Sequence, residues 1–266
     1  MLEGCNQMRV QSQFDLKDRI AFVSGGRGHL GAVMSQALAE AGAHVIVNGR
    51  DAVQLAAFTD GLKKQGLSAE PAAFDIGDIA AVRAFFASRS RLDILVNNAV
   101  TMQVKAFAAL EPADFAATYL SSVTASFEAV RSALPALERA VAAAGDASVV
   151  NIASMYGQVS PDARLYDDAG QQSPFHYGPA KAGLLQLSRH LAAELGPRRI
   201  RVNALVPGPF PRAVEPEFGT RLAGRTMLGR LGRKEEIAGP LLFLASPASS
   251  FITGSALAVD GGWTAW

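Results

Sequence analysis

Ile20-Ala21-Phe22-Val23-Ser24-Gly25-Gly26-Arg27-Gly28-His29-Leu30-Gly31 is the stretch on which the fold turns. Four apolar residues run into a glycine-rich turn, and beyond it Leu30, Val33, Met34, Leu38 and Ala41 recur at helical spacing up to Gly42. The first run reads as a buried strand and the second as one face of a helix. Between them Gly26, Gly28 and Gly31 form G-x-G-x-x-G. Side chains there would block the tight turn, the approach of a pyrophosphate to the backbone and the packing of helix on strand. The helix N-terminus adds N–H groups and a positive dipole end for phosphate. Glycine-rich turns also serve plain loop geometry, but this placement favours nucleotide binding.

Outward from that unit the alternation continues. Val45-Ile46-Val47 reads as a second strand, followed by a helix from Ala52 to Gln65 closed by Gly66. Ala72-Ala73-Phe74 reads as a third strand, Ile79 to Ala87 as a short helix, and Ile94-Leu95-Val96 as a fourth strand. A long helical region leads to Ser148–Ile152, then come residues 199–206 and a last strand at Leu257-Ala258-Val259. Strands alternating with helices predict βαβ units, hence an α/β, doubly wound (Rossmann) parallel sheet of about seven strands with helices on both faces. Residues 161–174 and 207–225 fall outside the pattern and read as active-site loops.

With 49% hydrophobic and 18% charged residues in 266, the chain suits one domain over residues 16–266 behind a flexible arm, residues 1–15. Its 25 basic and 24 acidic residues leave a formal charge of +1, which argues against nucleic-acid binding. The single Cys5 cannot form an internal disulfide, no Cys/His cluster suggests a metal, and a reducing cytoplasm is expected. Residues 1–14 lack the apolar core of a secretory signal, and no apolar run approaches the roughly 18 residues of a membrane span.

At the tip of the second strand the chain reads Asn48-Gly49-Arg50, with no carboxylate for ribose hydroxyls, and Asp51 suits a helix cap. Arg50, with Arg27, suits a 2′-phosphate, so NADP is expected over NAD; the alternative is two solvated surface charges. Tyr177 and Lys181 stand one helical turn apart, at the head of a face continued by Leu184, Leu185 and Ser188. That proximity is expected to lower the phenol's pKa and make it an acid or base near neutrality.

These residues resemble the short-chain dehydrogenase/reductase family, in its short single-domain form, from about Asp18 to Trp263. Beyond the glycine loop, the matching stretches are Asp75, Leu95-Val96-Asn97-Asn98-Ala99, Asn151-Ile152-Ala153-Ser154, Tyr177-x-x-x-Lys181-Ala182-Gly183, Arg201-Val202-Asn203, Pro207-Gly208, Ile252-Thr253-Gly254 and Val259-Asp260-Gly261-Gly262. The resemblance implies that Tyr177 exchanges the hydroxyl proton, Ser154 hydrogen-bonds the substrate oxygen, and Lys181 holds the nicotinamide ribose. It implies a cofactor site of Gly25, Arg27, His29, Leu30, Gly31, Arg50, Asp75, Ile76, Asn97, Ala99, Pro207, Gly208 and Phe210. Departures are informative. His29 stands where the family has glycine, Ser24 replaces a threonine, and Val100 follows Asn-Asn-Ala in place of glycine. Ser122 occupies the position of an asparagine that serves a proton relay, and Pro209-Phe210-Pro211-Arg212 lacks the threonine that anchors the nicotinamide.

The stretch between Ser154 and Tyr177 is longer than such proteins commonly have, so residues 161–172 look inserted. Arg164, Asp167, Gln171, Gln172 and His176 offer many donors and acceptors, which with Tyr156 suit a small, polar, polyhydroxylated substrate; the alternative is a solvated loop serving a subunit contact. The resemblance extends to members acting on sugars and sugar acids, gluconate dehydrogenases included. The expected activity interconverts a secondary alcohol and a ketone in a dimer or tetramer. Rival readings are a cofactor-binding sensor or scaffold, a 3-oxoacyl thioester reductase, and a sugar epimerase or dehydratase.

Overall fold

The computed structural model describes residues 9–168 and 172–266. Expectations on Cys5, on the start of the arm and on Gln171 lie outside the described residues. Seven parallel strands form one sheet in the order β3-β2-β1-β4-β5-β6-β7. They are β1 Ile20–Val23, β2 His44–Gly49, β3 Ala69–Ala73, β4 Ile94–Asn97, β5 Ala147–Ile152, β6 Ile200–Pro207 and β7 Ala256–Val259. The helices are α1 His29–Glu40, α2 Ala52–Lys64, α3 Ile79–Ala87, α4 Pro112–Tyr119, α5 Ala125–Ala144, α6 Tyr177–Leu195, α7 Pro216–Gly224 and α8 Ala238–Ala245.

Both faces of the sheet are buried, which is why its strands read as apolar runs. Phe22, Leu95, Val149 and Val202 share one core with Phe86 of α3, Leu137 of α5 and Leu191 of α6. Their neighbours Val23, Val96 and Val150 point the other way, into a core with Met34 and Leu38 of α1 and Leu241 and Leu244 of α8. Among the described residues no helix is long and apolar enough to cross a membrane, and no group of His, Cys, Asp or Glu is placed to hold a metal ion.

The expected third strand, residues 72–74, lies earlier. β3 runs from Ala69 to Ala73 and carries Glu70 and Pro71, and Phe74 follows it. As an edge strand it tolerates the proline that obscured it in the sequence. The long helical region after β4 is broken in its ladder: Leu120–Thr124 form one turn of π-helix between α4 and α5. The succession β1, β2, β3 proceeds outward on one side, whereas β4 returns beside β1. At that switch point the loops after β1 and β4 diverge and leave a crevice at the carboxyl ends of the strands.

Candidate active site

The crevice is a cleft of about 610 Å³ lined by the loops that follow β1, β2, β3, β4, β5 and β6. Its floor is the glycine turn. Gly25 has φ +60°, and a Cβ on Gly31 would lie 2.1 Å from the Gly25 carbonyl oxygen, so neither position accepts a side chain readily. The N-cap of α1 is Gly28, and no side chain caps the helix, which leaves its first N–H groups facing the cleft. Ser24 holds the turn to the β4 loop. Its hydroxyl accepts from the amides of Asn98 at 2.9 Å and Ala99 at 3.0 Å, while Asn98 Nδ2 donates to the Ser24 carbonyl at 2.9 Å.

At the outer end, Arg27 and Arg50 line the cleft, both exposed and neither ion-paired among the described residues. Asp51 also lies there, but its carboxylate caps α2, accepting from the Gln54 amide at 3.0 Å and the Gln54 side chain at 2.7 Å. Asp75 and Ile76 line the same end. The turn, the uncapped helix end and the two free guanidiniums fit a dinucleotide carrying an additional phosphate.

At the inner end Ser154, Tyr177 and Lys181 converge with Ile152, Ala153, Pro207 and Gly208. Lys181 is buried, and its Nζ donates to the Ile152 carbonyl at 2.7 Å and sits 5.7 Å from the Tyr177 ring centre. The expected depression of the tyrosine pKa is corrected here. Burial pushes the Tyr177 phenol up and its hydrogen bond with Ser154 pulls it only part of the way back. Burial acts on Lys181 as well and brings its pKa down to about 8, so it still carries its charge at neutral pH.

Several expected site residues are placed elsewhere. Asn97 does not line the cleft; its amide donates to Asn151 Oδ1 at 2.8 Å inside the sheet, and Asn98 faces the cleft instead. His176 is buried, with Nδ1 at 2.9 Å from Thr118 Oγ1 and Nε2 at 3.1 Å from the Gln103 carbonyl, so neither ring nitrogen remains for a substrate. Arg164 points to solvent and forks onto Asp162. Tyr156 turns away from the cleft, its hydroxyl 3.1 Å from that of Tyr166. Ser122 is buried in the π-turn, and its Oγ has no hydrogen-bond partner among the described residues. His29, Leu30, Ala99 and Phe210 do line the cleft, as do Asn48 and Arg212, which stand in the sequence motifs without an expected site role, and Thr101, which the sequence did not single out. Asn48 follows the alternation of β2 and was legible as a strand end; nothing local marks Thr101.

A doubly wound sheet with a glycine turn at the switch point and a Ser-Tyr-Lys group at the far end defines a nucleotide-dependent oxidoreductase. The chain belongs to the short-chain dehydrogenase/reductase family: residues 27–264 match the family model described as enoyl-(acyl carrier protein) reductase. It is 36% identical to the rhamnolipids biosynthesis 3-oxoacyl-[acyl-carrier-protein] reductase of Pseudomonas aeruginosa, over 94% of this chain and 98% of that one. It is 33% identical to the L-tagatose-forming galactitol 2-dehydrogenase of Cereibacter sphaeroides, over 97% and 100% of the two chains. Among solved structures it resembles a gluconate 5-dehydrogenase from Burkholderia cenocepacia in complex with NADP and tartrate. There the TM-score is 0.84 at 31% identity, covering 97% of this chain and all of that one.

Proposed function

We propose that the protein interconverts a secondary alcohol and its ketone using NADP, with Tyr177 as the proton donor and acceptor. The observation that carries this reading is the convergence of Ser154, Tyr177 and Lys181 in the same cleft as the unpaired Arg27 and Arg50. When bound, the nicotinamide supplies or accepts the hydride. The Ser154 hydroxyl hydrogen-bonds the substrate oxygen, and the phenol protonates that oxygen as it gains charge. Burial keeps the phenol protonated at neutral pH, which suits an acid in the direction of reduction. The buried ammonium of Lys181 places positive charge beside the phenolate that remains.

For the substrate, a sugar or sugar acid is our first reading. Arg212 lines the cleft with Ser154 and Tyr177 and has no ion-pair partner among the described residues, which suits a carboxylate. The galactitol and gluconate dehydrogenases among its relatives support it. A second reading, a 3-oxoacyl thioester, is supported by the exposed apolar residues Met102, Val104 and Phe107, which follow Val100 of the cleft lining in the chain after β4, and by exposed Phe175 just ahead of Tyr177. The Phe107 and Phe175 rings meet at a tilt, with their centres 4.9 Å apart. Absorbance of NADPH with keto-sugar acids, ketoses and 3-oxoacyl thioesters, each at equal concentration, separates them. Turnover of thioesters alone overturns the first reading, and turnover of neither class overturns both. Exposed Phe115 and Tyr119 on α4, Leu120 in the π-turn and Phe127 on α5 support self-association, which light scattering measures directly.

A further inference from the structure

We propose that the segment 161–168, through Tyr166 above all, positions helix α7 against the turn that carries Ser154. Residues 161–168 of the stretch that reads as an insertion face this helix. Its turn Ala163–Leu165 buries Leu165 in one cluster with Leu222 of α7, Met155 and Trp263. The Tyr166 ring lies 5.2 Å from that of Phe218 on α7. Arg221 of α7 reaches back, donating from Nε to the Leu165 carbonyl at 2.8 Å and from Nη2 to Asp167 at 2.5 Å.

Tyr166 also reaches in the other direction. Its hydroxyl meets that of Tyr156 at 3.1 Å, and the Tyr156 amide donates to Ser154 Oγ at 3.2 Å. Phe218, Tyr166, Tyr156 and Ser154 therefore form a continuous series from α7 to the inner end of the cleft. The Arg221–Asp167 pair is largely solvated and adds little, so the tilted ring pair and Leu165 are the effective contact. The chain just ahead of α7 carries Phe210 and Arg212, both in the cleft wall, so the seating of α7 fixes how that wall stands. Tyr166 is a positioning residue. It does not line the cleft.

The test needs no substrate, so its outcome is separate from that of the proposed reaction. Trypsin is added to the full-length protein, and cleavage after Arg212, Arg221 and Arg225 is followed by mass spectrometry. NADPH affinity is measured in parallel by fluorescence. Tyr166→Ala should speed cleavage at these sites roughly tenfold, through local opening, and weaken NADPH binding by roughly fivefold at most as the Phe210 wall loosens, with the global melting temperature near wild type. Tyr166→Phe, which keeps the ring, should stay close to wild type. Once a turned-over substrate is known, Tyr166→Ala should raise its KM and spare kcat. If Tyr166→Ala does not fold, Phe218→Ala removes the same contact from the other side. Cleavage at the wild-type rate in the folded variant overturns the proposal.

Discussion

His29 Nε2 lies 3.0 Å from the carbonyl oxygen of Phe210, so the turn after β1 and the segment after β6 are joined across the mouth of the cleft. A glycine at position 29 has no side chain to make this link. One neutral hydrogen bond contributes about 1 kcal/mol, so His29→Ala should weaken NADPH binding by roughly fivefold. Fluorescence titration measures it. Tighter binding by the variant would show that the imidazole obstructs the cofactor.

Arg50 has no partner to lose among the described residues, and Asp51 is engaged in capping α2. Arg50→Ala should therefore raise the KM for NADPH by roughly tenfold or more, the scale of a charge-assisted bond to phosphate, and leave that for NADH unchanged. Equal effects on both cofactors would remove the guanidinium from the 2′-phosphate.

Lys181 gives a pH signature in stability. Unfolded, it holds its proton to about 10.5; folded, only to about 8. Between those values the unfolded chain binds more protons, so stability rises with pH; below about 8 the burial penalty, roughly 3 kcal/mol, is fully present. Denaturant melts from pH 7 to 10.5 should show that rise in the wild type and not in Lys181→Met. A rise of equal size in the variant would assign it to another group.

The hydroxyl of Ser122 is buried and unpaired among the described residues, a condition that costs on the order of 1 kcal/mol. Ser122→Ala should melt no lower than the wild type and keep its kcat. A fall in kcat with an unchanged melting temperature would instead place Ser122 in the proton path.

Much of this was legible in the letters, and the reasons differ by element. β1 with its glycine turn, and α6 beginning at Tyr177, are specified locally, by burial on both faces and by helical spacing. β3 was misplaced because an edge strand accepts Pro71 and Glu70, which break the apolar pattern. Asn97 and Asn98 are adjacent, and only the pleat of β4 decides which one faces the sheet and which the cleft. His176 and Arg164 were read as substrate donors because nothing local reveals their partners. Thr118 and Gln103 reach His176 only through the packing of α4 and its preceding loop. The π-turn around Ser122 likewise leaves no mark in residue type.

If Tyr177 moves the proton in a cleft that binds NADP, Tyr177→Phe compared with wild type by stopped-flow single turnover, with NADPH and a substrate found in the panel, should transfer hydride roughly 10²–10⁴-fold more slowly with NADPH affinity unchanged. A variant that transfers hydride at the wild-type rate would contradict that role.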